Sequence, residues 1–248
     1  ARGDLGVELS AHEVPVVQKQ IVSQMRKAGK PVVVATQMLE SMITNPIPTR
    51  AEANDVANAI YDGADAVMLS AESAAGDFPE EAVDMMESII REVEASEPYR
   101  ERMEHSSLPL LETGPLIEHA MIPAARNLAR DLHASAIVCL TKKGRIAQRL
   151  SQERSTRPII ALSHSRKTAR HLLLSWGVYP IDVYNACDRM DHADQIVKYE
   201  DISFDRVISI ASSLALKKDL AKEGDMLVVT GWQPRGVPGA NILRIVKL

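Results

Sequence analysis

Apolar and polar positions in this chain come in blocks. Pro31-Val32-Val33-Val34-Ala35 is an unbroken run of small and β-branched residues that turns polar at Thr36 and Gln37. Ala66-Val67-Met68-Leu69 follows the same plan and turns polar at Ser70 and Glu72. Short runs without alternation predict parallel strands covered on both faces. Ala1-Arg2-Gly3-Asp4-Leu5-Gly6-Val7 reads as the tail of an earlier strand. After each run, apolar residues return at helical spacing: Val14, Val17, Ile21 and Met25; Ala53, Val56, Ala57 and Ile60; Val83, Met86, Ile89, Ile90 and Val93. Ser10 to Glu13, Thr49 to Glu52 and Asp77 to Glu80 each set a capping side chain three residues before a glutamate, the signature of a helix start. Residues 1 to 96 therefore read as three successive βα units.

The pattern then lapses. Residues 97 to 114 carry charges, prolines and a Ser-Ser pair, which predicts a connector at a domain boundary. A helix follows with Ile117, Met121, Ala124, Ala125, Leu128 and Leu132. Strands are predicted at 135–140, 158–163, 178–183, 226–231 and 241–247, with helices at 145–154, 166–176 and 204–222. Residues 115 to 248 thus read as a separate α/β domain.

Composition narrows the class. Of 248 residues, 46% are hydrophobic and 25% charged, as in soluble globular proteins, and no apolar run is long enough to span a bilayer. A net charge of −4 gives no global attraction to nucleic acid, although basic residues cluster between 142 and 170. Neither nucleic acid nor a membrane is an expected partner, and a cytoplasmic location is. Cys139 and Cys187 lack metal-ligand spacing and are expected to be reduced, buried thiols. The seven histidines show no metal spacing either, and are assigned to surface or core. The chain starts in the middle of a strand without a methionine, and reads as a piece of a longer protein.

The carboxyl ends of parallel strands are where such folds display ligand-binding groups. Asp4, beside Gly3, is a carboxylate able to ligate a hard cation, with glycine amides open to an anionic substrate; the same residues also suit a turn cap. Thr36 adds a hydroxyl, and Ser70 with Glu72 a second polar pair. At equivalent ends of consecutive βα units, these groups would share one rim, suited to holding a metal-bound anion and passing protons.

The motifs Ala1-Arg2-Gly3-Asp4-Leu5-Gly6-Val7-Glu8, Lys30 to Met42, Pro48-Thr49-Arg50-Ala51-Glu52 and Asp62 to Gly76 together resemble the C-terminal half of pyruvate kinase. The resemblance covers nearly the whole chain and weakens toward its end. It implies an α/β fold: the last three βα units of a TIM-type (β/α)8 barrel, followed by a separate α/β C-terminal domain for effector binding and assembly. It also implies glycolytic phosphoryl transfer from phosphoenolpyruvate to ADP, giving pyruvate and ATP, with Mg²⁺ (or Mn²⁺) and K⁺ as cofactors. Asp4 would then be a metal ligand, and the amides of Gly3 and Asp4 would lie near the substrate carboxylate. Thr36 would contact substrate on the face where the enolate is protonated, and Ser70 and Glu72 would join the network delivering that proton. The family's catalytic lysine, second metal carboxylate, K⁺ ligands and lid domain match nothing here, so the chain alone is expected to be inactive.

Thr141-Lys142-Lys143-Gly144-Arg145 follows a strand and opens a helix, a set of groups able to hold a phosphate or to form a solvated basic turn. By the resemblance this is an effector loop for a sugar phosphate or nucleotide monophosphate, with Arg235 and Gly236 in a second wall. Lys143 and Ile146 depart from the small hydroxyl residues of the fructose-bisphosphate type. The resemblance further implies a homotetramer. The competing class is a non-catalytic phosphate-binding or assembly module.

Overall fold

The protein is described here by a computed structural model covering residues 1–105, 116–183, 204–231 and 240–248. The chain divides into two compact units, Ala1–His105 and Ser106–Leu248.

In the first unit, β1 (Val33–Ala35) and β2 (Ala66–Met68) pair in parallel with Val34 opposite Val67. Around them run α1 (Arg2–Glu8), α2 (Val14–Ala28), α3 (Arg50–Asp62), α4 (Ala71–Ala74), α5 (Pro79–Ala95) and α6 (Glu97–His105). Two of the three expected strands are present among the described residues. Where the tail of the first was expected, Arg2–Glu8 is helical with Asp4 in its first turn, where the helix dipole favours a carboxylate. Its spaced apolar residues, Leu5 and Val7, form no continuous run to pair in a sheet.

Of the three expected capping boxes, one is complete. Thr49 Oγ1 accepts from Glu52 N at 3.3 Å and Glu52 Oε2 accepts from Thr49 N at 2.8 Å, an arrangement worth about 1 kcal/mol. Glu13 does reach back to Ser10 N, but α2 begins only at Val14, one residue past that turn. Asp77 does not cap α5; its amide donates to Ile43 O, and Pro79 opens the helix with no N–H to satisfy.

The core lies between β1 and helices α2, α3 and α5. Val22, Val34, Met38, Leu39, Met42, Val56, Ala59, Ala82 and Met86 are buried together. Three of these, Met38, Leu39 and Met42, come from the segment after β1, so the strand-end loop is anchored by its own apolar side chains. On α2 the buried positions are Val22 and Arg26, while Ile21 of the expected stripe is 41% exposed. The expected connector begins with α6, which seats Tyr99 and Met103 against Ile60 and Val93. Tyr61 and Tyr99 meet edge to face at 6.0 Å, a geometry worth about 1 kcal/mol beyond area burial.

The second unit is a five-stranded sheet. In chain order its elements are α7 (Leu116–Asp131), β3 (Ala136–Leu140), α8 (Arg145–Gln152), β4 (Ile159–Ser163), α9 (Arg166–Leu172), β5 (Val178–Asp182), α10 (Phe204–Lys217), β6 (Met226–Gly231) and β7 (Ile242–Lys247). Strand order is β5-β4-β3-β6-β7, parallel except for β7. All five predicted strands match within one residue, while α8, α9 and α10 start as predicted and end at Gln152, Leu172 and Lys217, short of the expected 154, 176 and 222. The central strands β3 and β4 are buried throughout, as expected of a sheet covered on both faces. Ile137 and Cys139 of β3 face α7, α8 and α9; Ala136, Val138 and Leu140 face α10. On α7 the inward stripe is Ile122, Ala125 and Ala129, rotated from the expected one, with Ile117 54% exposed. Cys139 is wholly buried, which pushes its thiol up to about 12. Cys187 lies outside the described residues. No helix among the described residues is long and apolar enough to cross a membrane.

One glycine is required by close approach. A Cβ on Gly76 would stand 2.7 Å from the backbone oxygen of Glu72 and 3.1 Å from Cα of Ile43. Neither is a side-chain end that can swing away. Gly76→Ala is expected to lower stability by about 1–3 kcal/mol, the scale of overpacking, seen as an earlier urea transition. An unchanged midpoint would refute the close approach.

Candidate active site and anion site

At the end of β1 the chain makes an unusual turn. Thr36 and Gln37 both have left-handed backbones, φ 71° and 54°, a region that disfavours a β-branched threonine. Around this turn folds the start of α1. Gly3 N donates to Thr36 Oγ1 at 2.9 Å, and the hydroxyl in turn donates to Ala35 O at 2.6 Å. The Arg2 guanidinium donates to Thr36 O through Nη2 at 2.6 Å and Nε at 3.2 Å, and to Gln37 O at 3.2 Å. Its Nη1 meets both oxygens of Asp55 on α3, at 2.7 and 2.6 Å. Gly3 and Thr36 are thus in contact, and Asp4 follows on the exposed side of α1.

The end of β2 is tied to the same loop by a carboxylate. Glu72, 2% exposed, accepts from Ser70 N at 2.7 Å and from Leu39 N at 3.3 Å. The two backbone segments that carry Thr36 and Ser70 are therefore cross-braced through one side chain. Behind them Glu52 accepts from Ser41 N at 2.7 Å and Ser41 Oγ at 2.5 Å, besides its contacts to Thr49. Burial would push the Glu52 carboxyl up, but the hydrogen bonds from Ser41 and Thr49 outweigh it and hold the group down at about 2. Asp4 is a single exposed carboxylate, and Mg²⁺ is an ion often held by one or two carboxylates plus substrate oxygens, so the residue present would fit such a cation. No group of three or more His, Cys, Asp or Glu residues with metal-binding placement occurs among the described residues.

In the second unit the strand order reverses at β3. From β3 the chain moves outward to β4 and β5, then returns through α10 to β6 on the other side of β3. The carboxyl ends of β3 and β6 consequently flank a topological switch point, the crevice where open α/β sheets bind ligands. Thr141 to Arg145 occupy the β3 side of it. Thr141 Oγ1 accepts from Gly144 N at 3.0 Å, and Lys142 O accepts from Thr168 Oγ1 at 3.1 Å. Gly144 has φ 89°, leaving Lys142, Lys143 and Arg145 exposed at the start of α8. Arg235 and Gly236, expected in the opposite wall, lie outside the described residues.

Residues 1–83 match the family described as pyruvate kinase, barrel domain, and residues 119–246 match pyruvate kinase, alpha/beta domain. The chain belongs to the pyruvate kinase family. Relatives named pyruvate kinase include one from Methylorubrum extorquens, 44% identical over 99% of this chain and 48% of its own length. Another, from Agrobacterium vitis, is 45% identical over 100% and 48%, and one from Dictyostelium discoideum is 42% identical over 100% and 46%. The chain spans about half the length of the curated relatives it matches.

Arg2, Asp55 and the Ser41–Glu52 pair were not legible as site-supporting residues. Arg2 stands beside Gly3 and Asp4, but nothing in sequence spacing links it to carbonyls more than thirty residues away.

The Glu52 interactions set a pH dependence. Its pKa is about 2 when folded against an ordinary 4.5, so its contribution is full above 4.5 and is lost as pH falls toward about 2. Glu52→Gln is expected to be less stable than the parent at neutral pH, with the gap closing across that acid window, followed by urea denaturation at each pH. A gap that stays constant with pH would refute the assignment.

Proposed function

We propose that this chain supplies the C-terminal part of a pyruvate kinase that transfers a phosphoryl group from phosphoenolpyruvate to ADP. The observation that carries the reading is the contact of Gly3 with Thr36, which draws the start of α1 onto the end of β1 within a chain of this family. In this reading residues 1–96 are the last three βα units of the (β/α)8 barrel, with α1 belonging to the first of them. The two-stranded sheet supports it, since so small a sheet needs further strands or packing for stability. So do Val33 and Met68, which are 42% and 44% exposed although they lie in strands.

A divalent cation bound to Asp4 would neutralise charge on the phosphoryl group and on the developing enolate. The amide of Asp4 would orient the substrate carboxylate at the start of α1, joined by that of Gly3 when substrate displaces its bond to Thr36 Oγ1. The bond from phosphorus to the C2 oxygen breaks as one forms to a terminal oxygen of ADP. The enolate then takes a proton at C3 on the face where Thr36 stands, giving pyruvate. Glu72 keeps Thr36 and Ser70 in one frame by holding the amides of Leu39 and Ser70. K⁺ ligands and the catalytic lysine would come from the rest of a full-length protein, so the chain alone would be inactive, and assembly would be homotetrameric in the cytoplasm.

The residues from Thr141 to Arg145 would form an effector site for a sugar phosphate or nucleotide monophosphate. Their place at the switch point supports this, as does the exposure of three cations beside the amides of a helix start.

Two measurements test these readings. In the full-length protein carrying this chain, coupled assay of pyruvate formation should show turnover, and Asp4→Asn should cut kcat/KM by about 100-fold or more, the scale of losing one charge-stabilising group. Phosphate binding without turnover in that protein would favour a non-catalytic module instead. Separately, titration calorimetry with sugar phosphates and AMP should show affinity weakened by about tenfold or more when Lys142 and Lys143 are both alanine, the loss of a charge-assisted bond. Equal affinity in both proteins would reject the effector site.

A further inference from the structure

We infer that Arg2 is a positioning residue for Thr36: it clamps the left-handed Thr36–Gln37 turn and so fixes where the threonine hydroxyl stands. The inference rests on the proposed role of Thr36 in catalysis, but its structural half stands without it.

Left-handed conformations cost about 1–2 kcal/mol per non-glycine residue and persist only where surrounding contacts enforce them. Two in succession, one of them β-branched, need a specific restraint. Such a turn brings consecutive carbonyls toward one point. Arg2 is at that point, with Thr36 O at 2.6 Å and Gln37 O at 3.2 Å from the same nitrogen. A planar guanidinium can serve two carbonyls on one edge while another nitrogen holds a carboxylate, which a lysine ammonium cannot do in one fixed plane. Asp55 supplies that carboxylate at 2.6 Å, and the Arg2 side chain is only 14% exposed, so its direction is set from both sides.

The arrangement is economical because the next residue completes it. Arg2 holds the Thr36 carbonyl and Gly3 N–H holds the Thr36 hydroxyl, both from one dipeptide at the start of α1. A shift of the turn therefore moves the hydroxyl relative to the amides of Gly3 and Asp4. In phosphoryl transfer and enolate protonation, a misplacement of about 1 Å costs about 100-fold in rate.

The test uses the full-length protein in two arms. The first is the crystal structure of Arg2→Lys, with Asp55→Asn as a second variant in which the clamp is loosened but the arginine is kept. Thr36 and Gln37 are expected to leave the left-handed region in Arg2→Lys, and Thr36 Oγ1 to lose its bond from Gly3 N. Should Arg2→Lys fail to fold, the same displacement is expected in part in Asp55→Asn. Unchanged dihedrals in every variant that folds would overturn the inference. The second arm is a kinetic cycle. Arg2→Lys is expected to lower kcat by about 10- to 100-fold with KM for phosphoenolpyruvate nearly unchanged. In a Thr36→Val background the same change should have little further effect. A merely structural role would give additive losses and would overturn the inference. If the parent protein shows no turnover at all, the function reading fails, while the crystallographic arm still decides the clamp.

Discussion

A parallel strand that stops leaves its next backbone groups without a ladder partner, and inside a protein those groups must still be satisfied. Both units meet this constraint with short side chains placed at the strand ends. Glu72 takes the amides of Leu39 and Ser70, Thr36 takes the amide of Gly3, Thr141 takes that of Gly144, and Ser163 takes that of Ser165. At the other end of the small sheet, Asp65 takes the amide of Val32 and so sets the two strands in register. The residues that look catalytic from their position are thus also the ones that terminate the sheets. The proposed role in chemistry would be added to this structural task, and substitutions at these sites would then show both.

Burial and locality decide which parts were legible in the sequence. The inner strands β3, β4 and β6 could be read because they are buried on both faces, and nothing but apolar residues fills 136–140 or 159–162. Thr49 and Glu52 were legible because a capping box is local, complete within four residues. The clamp on Thr36 was not, because Arg2 reaches its partners through the fold and a guanidinium has no preferred sequence distance. The helix at Arg2–Glu8 was missed for a related reason. A stretch with two glycines and scattered apolar residues has weak preferences of its own, and the contacts of Arg2 and Gly3 with the β1 turn decide its place.

Helix faces were the other weak point. Apolar spacing identified α2 and α7 as helices, but the side that turns inward is set by what each packs against. On α7, Ala125 and Ala129 let the helix lie close to the sheet, so small residues face in while Ile117 faces out. Periodicity counts apolar residues and cannot weigh this advantage of close approach.

The seam between β3 and β6 has a further consequence, for the order in which the second unit can be built. Val138 pairs on one side with Ile160, a near neighbour in the chain, and on the other with Val229, which is synthesised long afterwards. The local half, β3 through β5, can assemble as successive short crossovers, whereas the central seam must wait for the last segment and bear the larger loop-closure entropy. Until then β3, the middle of the finished sheet, has an open backbone edge where β6 will pair and leaves Ala136, Val138 and Leu140 bare on the face that α10 will cover. The folding nascent chain is thus most prone to mispairing at the strand that is most protected once it is complete.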